Sequence, residues 1–267
     1  MPTLAERTVT GIACLTLPPA DGPPHFGVPL ALTRPAEPPP GSEAAHARYR
    51  WYLGHQVAFC VWVLLAGQLR AIASRPDAAG EAVPAAAGLL DAYSVLLLYS
   101  GSCGGEIYQT VIRPEMAAAH PAFSGTWAWD YQPIPALLRQ LRGTAPGSAL
   151  APHARANLAA HVAVGEHLVP GRKSLLREAG RRRGLVSAAE YDLFDRFFLV
   201  RRAPVTTADL LGQLSTRLAH LSTDLGAVPL PRIGPPDVRR LARDAAEILA
   251  RVSTVPGTPA QWYEPAA

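Results

Sequence analysis

Between residues 49 and 72 the chain reads YRWYLGHQVAFCVWVLLAGQLRAI, and no other stretch restricts the fold as much. It contains no proline, it is too long for a strand, and its apolar residues point in nearly every direction of a 3.6-residue helix. A helix that is apolar all round must be sheathed by protein, so its neighbours should themselves be helices. Along one face Trp51 or Tyr52, His55, Phe59 and Trp62 recur at helical spacing. His55 is the anomaly in that face. An imidazole among aromatic rings is either a core histidine with both nitrogens satisfied or a proton-handling group beside an apolar pocket that admits a flat aromatic molecule.

The flanking sequence supplies the expected sheath. Ser42 is placed to cap the long helix, which should run to about Ala73 before Ser74-Arg75-Pro76 stops it. A second apolar helix is expected from Ala85 to Tyr99, ending in the small-residue stretch SGSCGG. Glu106 to Ala119 reads as helix interrupted at Pro114, and His120 to Pro135 as an aromatic loop. Helix is expected again over 151–169, from the Ser187/Glu190 capping box to about Val200, over 207–225, and over 237–252. In the last of these Val238, Leu241, Ala245, Ile248, Leu249 and Val252 form one stripe. Residues 1–42 hold ten prolines and one loosely alternating segment, Thr8 to Leu17, suited to a short strand. The expectation is therefore a mainly α, single-domain helical bundle. Residues 1–42 form a proline-rich arm, 43–252 the helical domain and 253–267 a tail.

Composition narrows the function classes. Of 267 residues 49% are hydrophobic and 17% charged, enough for a large core and against global disorder. The net charge is +4, and the arginines are spread along the chain apart from Arg181-Arg182-Arg183, so no extended basic face for nucleic acid is indicated. Three cysteines without C-x-x-C spacing argue against a disulfide framework or a zinc site and fit a reducing cytoplasm. The first residues lack a signal-peptide layout, and the longest unbroken apolar run, Val57 to Gly67, is shorter than the ~20 residues that span a bilayer. Nucleophile-elbow, Walker and dinucleotide-binding motifs are absent, and Glu43-x-x-His46 is a single half of a di-iron pattern that needs two. Cys103 in the SGSCGG turn reads as a small buried hydrophobe rather than a metal-binding thiolate.

The segment HVAVGEHLVPGRKSLL carries two further histidines, His161 and His167. They are either surface residues or a neutral imidazole facing a metal, with Arg172 and Lys173 at the helix end to meet anionic groups. Taken with His55-Gln56-Val-Ala-Phe59-Cys-Val-Trp62 and the leucines after it, this segment resembles the heme-dependent aromatic oxygenases, the superfamily of tryptophan 2,3-dioxygenase. The distal helix there follows an H-Q-x-x-x-L-W pattern, and the proximal segment the form R-H-x-x-T-V-E-R-I-I-G-x-K. Two departures separate this chain from the dioxygenase itself: SLLREAGRRRG replaces a glycine- and threonine-rich closing loop, and no arginine stands at Tyr108, the nearest being Arg113. DAYSVLLLYSGSC and PAFSGTWAWDYQPI look closer to bacterial heme-dependent tyrosine hydroxylases of natural-product pathways, over roughly residues 45–180.

What the resemblance implies is a tryptophan-dioxygenase-like helical fold holding heme b. Hydrogen peroxide would oxidise L-tyrosine, or a close phenol, ortho to its hydroxyl to give L-DOPA. By that match His161 is the axial iron ligand, with Arg172 and Lys173 toward the cofactor's acidic groups, and His55 moves a proton on the opposite face. Tyr52, Phe59 and Trp62 wall the pocket, Arg113 meets the substrate carboxylate, and Ser124 contributes from the aromatic loop. Homo-oligomers are in keeping with such helical proteins. Two other readings stay open: oxygenation of an indole substrate, and a helical interaction protein or heme carrier without turnover.

Overall fold

The computed structural model describes residues 12–19, 41–75, 80–169, 171, 173–181 and 184–252. At its centre runs α1 (Glu43–Ser74), a helix of 32 residues whose N-cap Ser42 accepts a hydrogen bond from the Ala45 amide at 3.3 Å. Twenty-one of its residues are buried, on every face, as the unbroken apolar composition requires. Its main neighbour is α2 (Ala82–Ser100). The two backbones approach closely at Gly54, where a Cβ would lie 2.2 Å from the Ser100 hydroxyl and 2.9 Å from the Tyr99 ring. By length and hydropathy either helix would suffice to cross a membrane, which corrects the expectation drawn from uninterrupted runs. Their apolar windows are 78% and 56% buried inside the fold, as core helices are.

After α2 the chain continues through α3 (Gly105–Ile107), a π-helical turn (Tyr108–Ile112) and α4 (Arg113–Ala119) without the break expected at Pro114. The Arg113 amide donates to the Tyr108 carbonyl five residues back, so the widened turn comes just before Pro114 and accommodates a residue with no N–H. The aromatic segment forms two 3₁₀ turns (Gly125–Trp127 and Trp129–Tyr131) and then α5 (Pro133–Gln140). The next helix, α6 (Ala145–Leu168), starts earlier than the expected 151: Thr144 caps it, and Pro152 lies inside it. It packs mainly on α2.

The last third closes the bundle. A short α7 (Leu175–Glu178) leads to α8 (Ala188–Phe197), which has the expected Ser187/Glu190 capping box, and α9 (Thr207–Ala227) has a second box from Thr206 and Asp209. The stripe expected over 237–252 is buried as one face but divided between α10 (Pro236–Arg243) and α11 (Ala245–Val252), with the break at Asp244. Of the expected N-terminal strand, β1 (Leu15–Leu17) is present; residues 1–11 and 20–40 of the arm, like the tail 253–267, lie outside the described residues. β1 pairs in parallel with β2 (Val200–Arg202), Leu15 opposite Val200. The α9 residue Gln213 extends that pairing with its side chain, accepting from the Thr16 amide and donating to the Thr16 carbonyl, both at 2.8 Å.

Candidate active site around His55

His55 lies about one and a half turns along α1 from the buried Arg50. The Arg50 guanidinium donates to Asp224 of α9 at 2.7 Å and to the Val228 carbonyl, fixing α1 against α9 at that end. Further along, His55 Nδ1 donates to the Trp51 carbonyl at 2.6 Å. That bond fixes the tautomer: the proton is on Nδ1, and Nε2 carries the lone pair. Phe198 stacks on the imidazole at 4.1 Å between centroids and 12° between planes, and Trp51 leans on its other side at 4.5 Å. The ring keeps a little solvent contact. Burial nonetheless outweighs the carbonyl bond and pushes its pKa down to about 4, so His55 is neutral at physiological pH.

Two groups here lack partners. Among the described residues Nε2 of His55 has no hydrogen bond, and the buried Trp51 Nε1–H has no acceptor. A buried donor left unsatisfied costs about 1–3 kcal/mol, so an acceptor above this face would recover free energy that the protein alone does not. Tyr108, from the π-helical turn, packs edge-on to Trp51 at 5.8 Å and lies close enough to Arg113 to feel its charge. Arg113 is largely buried; it is paired with Glu178 at 2.7 Å and donates to the Lys173 carbonyl at 3.3 Å. One continuous surface therefore joins His55, Trp51, Tyr108, Arg113 and the backbone of Lys173.

Phe198 reaches His55 because Gln56 holds it there. The buried Gln56 amide donates to the Phe198 carbonyl at 3.0 Å and to the Ala13 carbonyl at 3.1 Å, and its oxygen accepts from Arg217 Nε at 2.8 Å. Arg217, 1% exposed, also donates to the carbonyls of Gln213, Ala13 and Cys14. Leu199, next to Phe198, has φ of 56°, a left-handed conformation costly for a branched side chain, which turns the chain from α8 into β2. The His-Gln pair thus divides its work: the imidazole faces the site, and the amide fixes the ring stacked upon it.

The other expected site residues fall into three groups. Phe59 and Trp62 continue the ring system inward from Phe198, and Tyr52 stacks on Phe197 at 5.6 Å; all three are buried core residues. Ser124 caps the first 3₁₀ turn, accepting from the Thr126 amide at 3.2 Å, so its hydroxyl has a structural task. His161 is exposed on α6, as are Leu158 and Val162 on the same helix. His167 bonds to the Cys103 carbonyl at 3.1 Å and pins the SGSCGG turn. Lys173 is exposed, and Arg172 lies outside the described residues. Phe198, Tyr108 and Arg217 were not anticipated. Only the Gln213/Arg217 spacing on one helix hinted at the last, and nothing local to Phe198 announces a partner so far back in the chain.

The mainly helical protein holds a neutral, backbone-anchored histidine in an aromatic cluster, and comparison with known families gives the class: a peroxide-using oxidoreductase acting on a tyrosine derivative. The family model for the SfmD 3-methyl-L-tyrosine peroxygenase matches residues 3–159, and the chain belongs to that family. It is a relative of the heme-dependent aromatic oxygenases. No curated protein matches the chain.

Proposed function

We propose that this protein is a heme-dependent peroxygenase that hydroxylates the ring of a tyrosine-type amino acid ortho to its phenol, with His55 as the group that handles the proton. The reading is supported most by one juxtaposition, the lone pair of His55 Nε2 beside the orphaned Trp51 N–H. An acceptor and a donor held side by side in an apolar wall suit an oxidant or a phenol, which offers both a proton and lone pairs. The same pair fits a heme-binding site, since a histidine whose Nδ1–H is tied to a carbonyl presents Nε2 in the way metal-ligating histidines do.

Heme, when bound, would supply activated oxygen from peroxide; the chain's own residues supply position and proton control. Neutral His55 can accept a proton at Nε2 from peroxide or phenol within about 3 Å, and burial makes it release that proton readily. Trp51, Phe198 and Tyr108 exclude water from that face. Arg113, beside Tyr108, can take the substrate carboxylate by exchanging it for Glu178, whose side chain is half exposed. The family's name carries 3-methyl-L-tyrosine, whereas the motifs alone pointed to L-tyrosine and L-DOPA; a single ring methyl changes binding by only about 1–3 kcal/mol, so both are substrates to assay.

Either histidine can hold the iron: His161 by its family-like segment, or His55 by its anchored Nδ1. Reconstitution with heme and a Soret spectrum separates them. If His161 is the ligand, His161→Ala loses the band while His55→Ala keeps it and loses hydroxylation; the opposite pattern assigns the iron to His55. A protein with no Soret band after reconstitution, and no hydroxylated product from L-tyrosine or 3-methyl-L-tyrosine with peroxide, would sink the proposal.

A further inference from the structure

A second concentration of chemistry lies where the chain passes from α9 into α10. Arg232, Arg239, Arg240 and Arg243 line one open groove of about 270 Å³, with Pro236 among them. Helical spacing gathers three of them: 236, 239, 240 and 243 fall on one side of α10, while Val238 and Leu241 anchor its buried side. Arg232 comes from the preceding loop, which turns at Gly234 with φ of 76°. A Cβ at Gly234 would lie 2.7 Å from Cβ of Ala163 on α6, so the loop sits hard against the bundle and Arg232 has a fixed base.

The charges gathered there are poorly compensated within the chain. Arg239 donates to the Gly234 carbonyl at 2.6 Å, a neutral partner, and Arg243 pairs with Asp244 at 2.8 Å. Arg232 and Arg240 have neither a hydrogen bond nor an ion pair among the described residues, though Asp244 is near enough to Arg240 to feel its charge. Four exposed guanidiniums around one groove, with one paired carboxylate, give it a positive potential that favours an anion there.

We propose that this groove binds a diphosphate group. Guanidinium forks match phosphate oxygens two at a time, and four of them around a space of this size suit two linked phosphates better than one. The cluster is too compact to track a nucleic-acid backbone, and with Pro236 as its sole apolar lining residue it offers no seat for an amphipathic helix. The diphosphate comes either free or as part of a nucleotide.

Isothermal titration of the full-length protein at fixed ionic strength tests this, with inorganic pyrophosphate, ADP and sulfate as separate ligands. Pyrophosphate should bind about tenfold tighter than sulfate. Arg240→Gln and Arg232→Gln should each weaken it about tenfold, while Arg251→Gln, outside the groove and paired with Glu247, should leave it unchanged. Because the two groove variants lie on different elements, loss in one with an altered melting temperature is checked by the other. Tighter ADP than pyrophosphate identifies a nucleotide as the ligand; equal affinities identify the diphosphate alone. No measurable pyrophosphate binding, or equal weakening by Arg251→Gln, overturns the proposal.

Discussion

Replacing His55 by glutamine should flatten the acid side of the protein's stability profile. In the folded chain His55 titrates at about 4, against 6.5 as its ordinary value, because burial disfavours the imidazolium. A lowered histidine pKa means that the unfolded chain binds the extra proton between those two values, so stability falls as pH drops from 6.5 toward 4. Integrated from pH 7.5 to 5.0, that single group removes about 2 kcal/mol, or about 4–8 °C in melting temperature for a domain of this size. His153 works the other way: its hydrogen bond to Asp91 raises its pKa, so its contribution is present at low pH and is lost as pH rises through the folded value. That contribution is common to wild type and variant and cancels in the difference. The assay is urea unfolding of heme-free wild type and His55→Gln at pH 7.5 and 5.0. Wild type should lose about 2 kcal/mol more than the variant over that interval. Identical losses would refute the claim that the protein holds His55 neutral, and with it the role of Nε2 as a ready proton acceptor.

Two further substitutions test the framework. Arg202 places all of its guanidinium nitrogens on Asp130, Asp195 and the Pro18 carbonyl, so Arg202→Met should cost about 3–5 kcal/mol in chemical denaturation by stranding two carboxylates. Burial already raises the Asp195 pKa, and a raised carboxylate pKa favours the protonated fold, so the variant should recover part of that loss as pH falls from 7.5 to 5. Gly54→Ala should cost about 1–3 kcal/mol by forcing α1 from α2 at Ser100, read as a lowered urea midpoint with an unchanged slope.

Much of the scaffold was legible because its signals are local. Ser42, the Ser187/Glu190 box and the apolar length of 49–72 each act within a few residues, and the corresponding elements form as expected. Pro114 misled for the same reason: a proline's local effect is to stop a helix, but the π-helical turn before it lets helix continue, while the Thr144 cap starts α6 six residues before the expected 151. The site was half legible. His55 stood out as a polar residue in an apolar face, whereas Phe198 on its ring, Tyr108 on Trp51 and Arg217 on Gln56 arrive only through long-range packing that no spacing rule encodes. Motif similarity singled out His161, and α6 carries that residue at an exposed position.

The pairing of β1 with β2 bears on the order in which the molecule can be assembled. Thr16 and Arg201 meet across 185 residues, so the first strand leaves the ribosome well before its partner exists. At ordinary translation rates that interval is roughly 10–40 s, during which Leu15 and Leu17 have no strand to join. Because the same Gln56 amide grips Ala13 and Phe198, the ring over His55 and the docked N-terminal segment are completed by one event. The aromatic face around His55 is therefore among the last parts of the chain to take shape, completed only when its final third has folded back onto its beginning.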